Sequence, residues 1–368
     1  MKKFLIFICI AVSLFSTVSF YGCENKENGT IDGNYVPVTE ESYERIVGLM
    51  DGENPVAGSE TAFGGTLSSD VTADFTIGES SARISVTETL KLQYLNELLK
   101  ASLTGGVTVS ADETFPDALI GMIAGLFSGN SSEETSTDIG EINATGNVSA
   151  FLDDTVTYLN AKITGLTERQ KELLREEGFD VDELGIESGI KYRFTDTDVK
   201  ETALETVWGA VGFISEAIET VKTLDYQTVN DYATLFDIGF DIDENDDGFT
   251  VRLTTFETTA EKLRAWANEE EGDLKDFFET VSVNNLDVAL YLSFDGYGKL
   301  VKIAVNGDVA LSFTAGETPV TARLSGHATL SFRHGDGTGL RTAHAQQRGN
   351  KPVCEQPEHA GTDGIRAG

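Results

Sequence analysis

The chain has 368 residues, with 61 acidic against 27 basic side chains, a net charge of −34, 40% hydrophobic residues and 6 prolines. The apolar share is enough to bury a core and excludes a wholly disordered chain. So negative a surface excludes binding to nucleic acid or to an anionic membrane through the protein's own field. The histidines are His327, His334, His344 and His359, which leaves nucleophilic catalysis in most of the chain without a histidine base.

Lys2 and Lys3 open the sequence, and an apolar run from Phe4 to Phe15 follows, interrupted only by Ser13. Small and aromatic residues then lead to Gly22-Cys23. A basic start, a short apolar run and a small residue before the cut make a secretory signal, and the run is shorter than the ~20 residues that a bilayer-spanning helix needs. The order Phe20-Tyr21-Gly22-Cys23 resembles the lipobox of bacterial lipoproteins: Gly22 and Cys23 fit, while Phe20 and Tyr21 replace the usual Leu and small residue. That resemblance implies cleavage before Cys23, acylation of its thiol, and a protein of the bacterial cell envelope held to a membrane by lipid. The alternative is an ordinary signal peptide with an incidental cysteine. Cys9 leaves with the signal and Cys354 lies near the end, so no disulfide framework is expected. Residues 1–22 are thus read as signal and 23–38 as a polar lipidated tether.

Thr39 is placed to cap a helix that carries Tyr43, Ile46, Val47 and Met50 at helical spacing. Val71, Ala73, Phe75 and Ile77 alternate as a strand, Gly78-Glu79-Ser80-Ser81 turns, and Ile84, Val86, Leu90 and Leu92 return. The spacing of Tyr94, Leu95, Leu98 and Leu99 predicts helix over 93–102, stopped at Gly105-Gly106. Pro116 starts an apolar segment over 117–127, read as a buried helix or as a flap lining a ligand cavity. Residues 128–140 form a polar loop and 142–163 are extended. Helices are expected over 168–177, over 199–223 with Leu204, Trp208, Val211, Ile214, Ile218 and Val221 on one face, and over 260–270 with one or two further turns.

From Leu286 to Phe294 the alternation is strict. Asp295-Gly296-Tyr297-Gly298 turns the chain, and Asn306-Gly307 is a two-residue hairpin signal. Two further strands over 320–324 and 328–332 complete an expected meander of about five. Residues 334–368 differ in composition, with three of the histidines and no aromatic residue, and are read as a disordered or non-native tail after a single α+β domain over 39–333.

Chemistry is sparse. Asp243, Asn245 and Asp247 occupy positions 1, 3 and 5 of a calcium loop, with Gly248 at position 6, but position 12 is Thr254 and the flanks read as strands. An acidic hairpin turn is the plainer reading, and calcium is the one cofactor that the spacing admits. The fold expected is α+β: an antiparallel, curved, half-barrel-like sheet with helices packed on one face. In element order, and in the meander from Leu286 to Phe313, it is similar to the open half-barrel of LolA-like lipoprotein carriers. That similarity implies a non-catalytic protein that binds or carries a hydrophobic, lipid-like ligand between sheet and helices. Leu119, Ile123, Trp208, Val211 and Ile218 are the candidates for lining such a cavity. The other reading is a structural or interaction lipoprotein with an acidic, calcium-binding body.

Overall fold

The computed structural model describes residues 31–50, 62–95, 98–112, 114–115, 142–152, 157–168, 171–172, 175, 181–194, 209, 212, 214–269, 273–315 and 318–334. Twelve strands carry it: β1 (Val36–Pro37), β2 (Ala62–Ile77), β3 (Ser80–Leu95), β4 (Leu98–Ala111), β5 (Ile142–Leu152), β6 (Thr157–Thr164), β7 (Ile190–Phe194), β8 (Ile238–Asn245), β9 (Gly248–Thr255), β10 (Val281–Asp295), β11 (Leu300–Ala315) and β12 (Thr318–His334). The helices are α1 (Glu40–Leu49), α2 (Val181–Leu184), α3 (Tyr226–Phe236), α4 (Thr259–Glu269) and α5 (Asp273–Thr280), and residues 214–222 are also helical.

All strands belong to one antiparallel sheet in the order β1-β8-β9-β10-β11-β12-β2-β3-β4-β5-β6-β7. The sheet is open, with β1 at one edge and β7 at the other. It consists of two meanders, β8 to β12 and β2 to β7, joined where β12 pairs β2 along its whole length, from Val320↔Ile77 to His334↔Phe63. At 16 residues, β2, β3 and β11 each extend about 50 Å, far beyond the usual strand.

Side chains alternate faces with period two, and register partners share a face, so the pairings sort every position. One face carries Leu290, Val305, Ala328, Leu330, Leu67, Val86, Leu90, Leu103 and Val148; the other carries Asp308, Arg323, Asp74, Arg83, Thr104 and Asn147. The main hydrophobic cluster joins Val251, Leu290, Ile303, Val305 and Phe332 to Tyr43, Ile46 and Met50 of α1 with its C-cap, to Ile218, and to Val229 of α3. Phe236, Leu263, Ala267 and Phe278 form a second cluster with Ile238, Val283 and Leu286.

Local signals explain several boundaries. Thr39 caps α1 as its sequence predicts: its hydroxyl accepts the Ser42 amide, and the Ser42 hydroxyl accepts the Thr39 amide in return. Asp225 caps α3 by accepting the Thr228 amide at 2.7 Å, and this hydrogen bond holds its carboxyl below the usual range. At the other end of α3, Asp237 takes the left-handed conformation and turns the chain into β8.

Three expectations are corrected. Residues 93–95 and 98–102 are strand, not helix: Leu90↔Leu103 and Tyr94↔Leu99 pair between β3 and β4, and this sheet pairing overrides the local helical spacing. Asn306-Gly307 is not a turn but the middle of β11, with Val288 opposite Gly307 on one side and Gly326 on the other. The meander after residue 281 is therefore three long strands, and Gly326 likewise lies within β12, where a Cβ would stand 2.1 Å from the Asp70 carbonyl oxygen. A glycine permits that close backbone approach and is read wrongly as a turn. Of the helix expected over 199–223, residues 209, 212 and 214–222 are helical and the others lie outside the described residues.

Candidate functional site

The sequence-derived site residues scatter. Cys23, Leu119, Ile123, Trp208 and Val211 lie outside the described residues, as do the apolar segment 117–127, residues 1–30 and the tail after His334. Ile218 is buried, in the main cluster with α1 and α3. The candidate that the described residues build is the apolar sheet face itself, over β2 to β5.

Toward β8 to β12, Leu290, Ile303, Val305 and Phe332 of that face are buried, and over β2 to β4 so are Val71, Ile77 and Leu99. Other aliphatic side chains over β2 to β5 are less covered. Leu67, Ile84, Val86, Leu90, Leu103, Val109 and Val148 are each partly exposed, and Val107 is 38% exposed. Several are register neighbours, as in Leu67↔Leu90↔Leu103↔Val148 and Val86↔Val107, so they form continuous rows across the strands rather than isolated spots. A contiguous apolar surface left partly exposed among the described residues is what a hydrophobic partner would occupy.

One polar pair interrupts the rows. Ser69 of β2 and Glu88 of β3 face each other in register on the apolar face and are 4% and 7% exposed. Their neighbours in the same row are Gly105 of β4 and Gly146 of β5.

The opposite face is hydrophilic and tied across strands. Thr72 and Ser85 hydroxyls lie 3.1 Å apart, Thr250 and Ser293 hydroxyls 2.9 Å apart, and Arg83 Nε donates to Asp74 at 2.6 Å. Arg323 pairs with Asp308 and stands in register with Asp74, so charges alternate over β11, β12, β2 and β3. Arg323 holds the Asp308 carboxyl below its usual range. Such exposed pairs are screened by solvent and salt, contribute little to stability, and favour solvent over lipid on this side.

Residues 31–35 are fixed on that hydrophilic face. The Asn34 amide donates to Asp243 at 3.0 Å, the Arg252 guanidinium lies 4.3 Å from the centre of the Tyr35 ring, and Arg252 pairs with Asp241 at 2.8 Å. Burial pushes the Tyr35 hydroxyl up to about 12, with Tyr291 and Asp243 adding to the effect.

The predicted calcium residues stand at the β8–β9 hairpin. Asp243 already accepts the Asn34 amide, and the Asn245 side-chain oxygen accepts the Asp247 amide at 2.9 Å, an Asx turn that accounts for Asn and Asp at these positions. Among the described residues no group of three or more His, Cys, Asp or Glu is placed to hold a metal ion. Asp243 thus serves the segment before β1 and Asn245 serves the hairpin, and millimolar calcium is expected to leave the melting temperature unchanged. A rise that Asp247→Ala abolishes would contradict this.

No family model and no curated protein matches the chain. Among solved structures, a CymD monoaromatic hydrocarbon channel is 8% identical with a TM-score of 0.15, over 84% of this chain and 97% of that one. The P. putida toluene transporter TodX is 8% identical with a TM-score of 0.14, over 77% of this chain and 92% of that one. At such scores neither similarity carries an argument about this fold or its activity. Among the described residues no helix is long and apolar enough to cross a membrane.

Proposed function

We propose that this chain is an exported, non-catalytic lipoprotein of the bacterial cell envelope that binds a hydrophobic, lipid-like ligand between the apolar face of its sheet and its helices. The observation that carries this reading is the set of partly exposed aliphatic side chains that stand in register over β2 to β5, with Val107 38% exposed. Interiors normally pack to crystal-like density, so aliphatic rows left partly open mark a surface kept for something else. In this reading the sheet is a curved half-barrel and the helices lie on its apolar side. The shared cluster of Tyr43, Ile46, Ile218 and Val229 with Val251, Leu290 and Val305 supports that placement. So does the 2.5 Å pair between Arg45 of α1 and Glu244 of β8, a residue in register with Phe249 on the apolar face.

The anchor is the Cys23 thiol. Residues 31–35, held on the hydrophilic face, would let the lipid tether leave from the side opposite the ligand. Cys23→Ala should move the protein from the membrane to the soluble exported fraction and remove labelled fatty acid; retention in the membrane with label intact would refute anchoring. For the ligand, the emission of N-phenyl-1-naphthylamine should rise and saturate with the protein, and Val107→Asp should reduce that rise at least about fivefold, because a charge placed on a dry apolar surface is strongly disfavoured. No enhancement with the parent protein would refute ligand binding and leave a structural lipoprotein.

A further inference from the structure

Acids outnumber bases 61 to 27 in the chain, yet β4, β5, β6 and β7 carry no Asp or Glu at all. Lys100, Lys162 and Lys191 of these strands lie on the hydrophilic face, and Lys91 of β3 and Arg333 of β12 join them there in three adjoining rows. The middle row is Lys91↔Ser102↔Ser149↔Asn160↔Lys191. On one side of it runs Arg333↔Gly64↔Gln93↔Lys100, and on the other Thr104↔Asn147↔Lys162. Gly64 lets Arg333 lie across β2 toward β3, since a Cβ there would stand 2.9 Å from the Arg333 Cγ and 3.1 Å from its Nε. Lys91, Lys162, Lys191 and Arg333 are exposed and Lys100 is partly so. Among the described residues none of the five is in an ion pair, whereas Arg83, Arg252 and Arg323 elsewhere on this face each hold a carboxylate. From β12 to β7 the band crosses seven neighbouring strands, about 29 Å measured along the sheet.

We propose that this band binds a linear acidic polysaccharide laid across the strands. The surface lies on the face opposite the aliphatic rows, so it stands or falls apart from the lipid-like ligand. Cations strung along a line, rather than converging on one point, suit a polymer whose carboxylates recur along its length. Ser102, Ser149, Asn160 and Gln93 stand between the cations and offer hydroxyls and amides, which can both donate to and accept from sugar hydroxyls. A nucleic acid fits less well, because the row from Lys91 to Lys191 holds no aromatic side chain on which bases could stack. The net charge of −34 repels a polyanion at a distance, but at physiological salt a charge is felt over only about 8 Å. Within that reach of the band the described strand residues of this face are cations and neutral polar groups, so the local field is positive.

The test is binding of fluorescein-labelled polygalacturonate to the full chain at pH 7 and physiological salt, with neutral dextran as the uncharged comparison. Polygalacturonate should bind and dextran should not. Lys91→Glu combined with Lys191→Glu should weaken binding at least about tenfold and flatten its dependence on salt, because fewer counterions are released. Both positions are exposed, so the melting temperature should match that of the parent; Lys162→Glu, on another strand, decides the matter if the double variant is unstable. Arg264→Glu makes the same kind of charge change on an exposed position of α4, outside the band, and should weaken binding less than about twofold. No binding of polygalacturonate, equal binding of dextran, or an Arg264→Glu effect as large as that of the band variants would overturn the proposal. So would tighter binding of a single-stranded oligothymidylate than of polygalacturonate, which would assign the band to nucleic acid.

Discussion

Phe236→Ala is expected to lower the free energy of unfolding by about 3 to 5 kcal/mol, the range for removing a large aromatic side chain from a fully buried site. Phe236 is 0% exposed. Its ring stacks on Tyr232 at 6.3 Å and meets Trp266 edge-on at 5.6 Å. Leu263, Ala267 and Phe278 complete the cluster, which therefore joins α3, α4 and α5 to Ile238, Val283 and Leu286 of the sheet. Phe236 ends α3 immediately before the left-handed Asp237, so its neighbours cannot move in to fill the void without moving the turn into β8. Chemical denaturation followed by tryptophan emission reads the change directly. A loss under about 1 kcal/mol would mean that the site collapses freely and that these helices are loosely docked.

Gly298→Ala should cost about 2 to 4 kcal/mol, by a different route. Gly298 closes the β10–β11 turn with φ +74, where a side chain costs about 1 to 2 kcal/mol in itself. A Cβ there would also stand 1.8 Å from the Leu49 carbonyl oxygen and 3.1 Å from the Met50 Cα, both backbone at the end of α1. Overpacking against atoms that cannot rotate away adds the remainder. The turn and the helix end must separate, and the packing of Met50 and Ile46 on the sheet loosens with them. Gly296, two residues earlier, is the control: its nearest contact is the Asp247 carbonyl oxygen at 3.7 Å, so Gly296→Ala should change stability by less than about 0.5 kcal/mol. Equal effects at the two positions would show that α1 does not lie against this turn.

Much of the sheet is legible from alternation alone. Leu286 to Phe294, Val71 to Ile77 and the Thr39 cap are local patterns, and local pairing or capping completes them. What the sequence hides is long-range. Nothing local says that β12 pairs β2, the contact that makes one sheet of two meanders. Glycine misleads for a related reason: Gly307 and Gly326 stand side by side in adjacent strands, where the sheet needs a close backbone approach, and only the pairing shows that neither is a turn. α3 has no counterpart among the sequence expectations, although Asp225 as cap and the spacing of Val229, Tyr232 and Phe236 carry its signal. Glu88 is likewise readable in retrospect, as the gap in the series Ile84, Val86, Leu90, Leu92, and the pairing places Ser69 opposite it. Four of the five predicted cavity residues lie outside the described residues, and the apolar face of β2 to β5 takes their place as the candidate site.

The central claim is that the partly open aliphatic rows over β2 to β5 hold a lipid-like molecule. Native mass spectrometry of the Cys23→Ala protein, purified without detergent from cells, tests it most directly, because that variant lacks the covalent anchor and any added mass is bound ligand. One non-covalent adduct of lipid mass, lost on solvent extraction and reduced by Val107→Asp, is the predicted result. A single species at the mass of the bare polypeptide, with no hydrophobic probe bound, would contradict it.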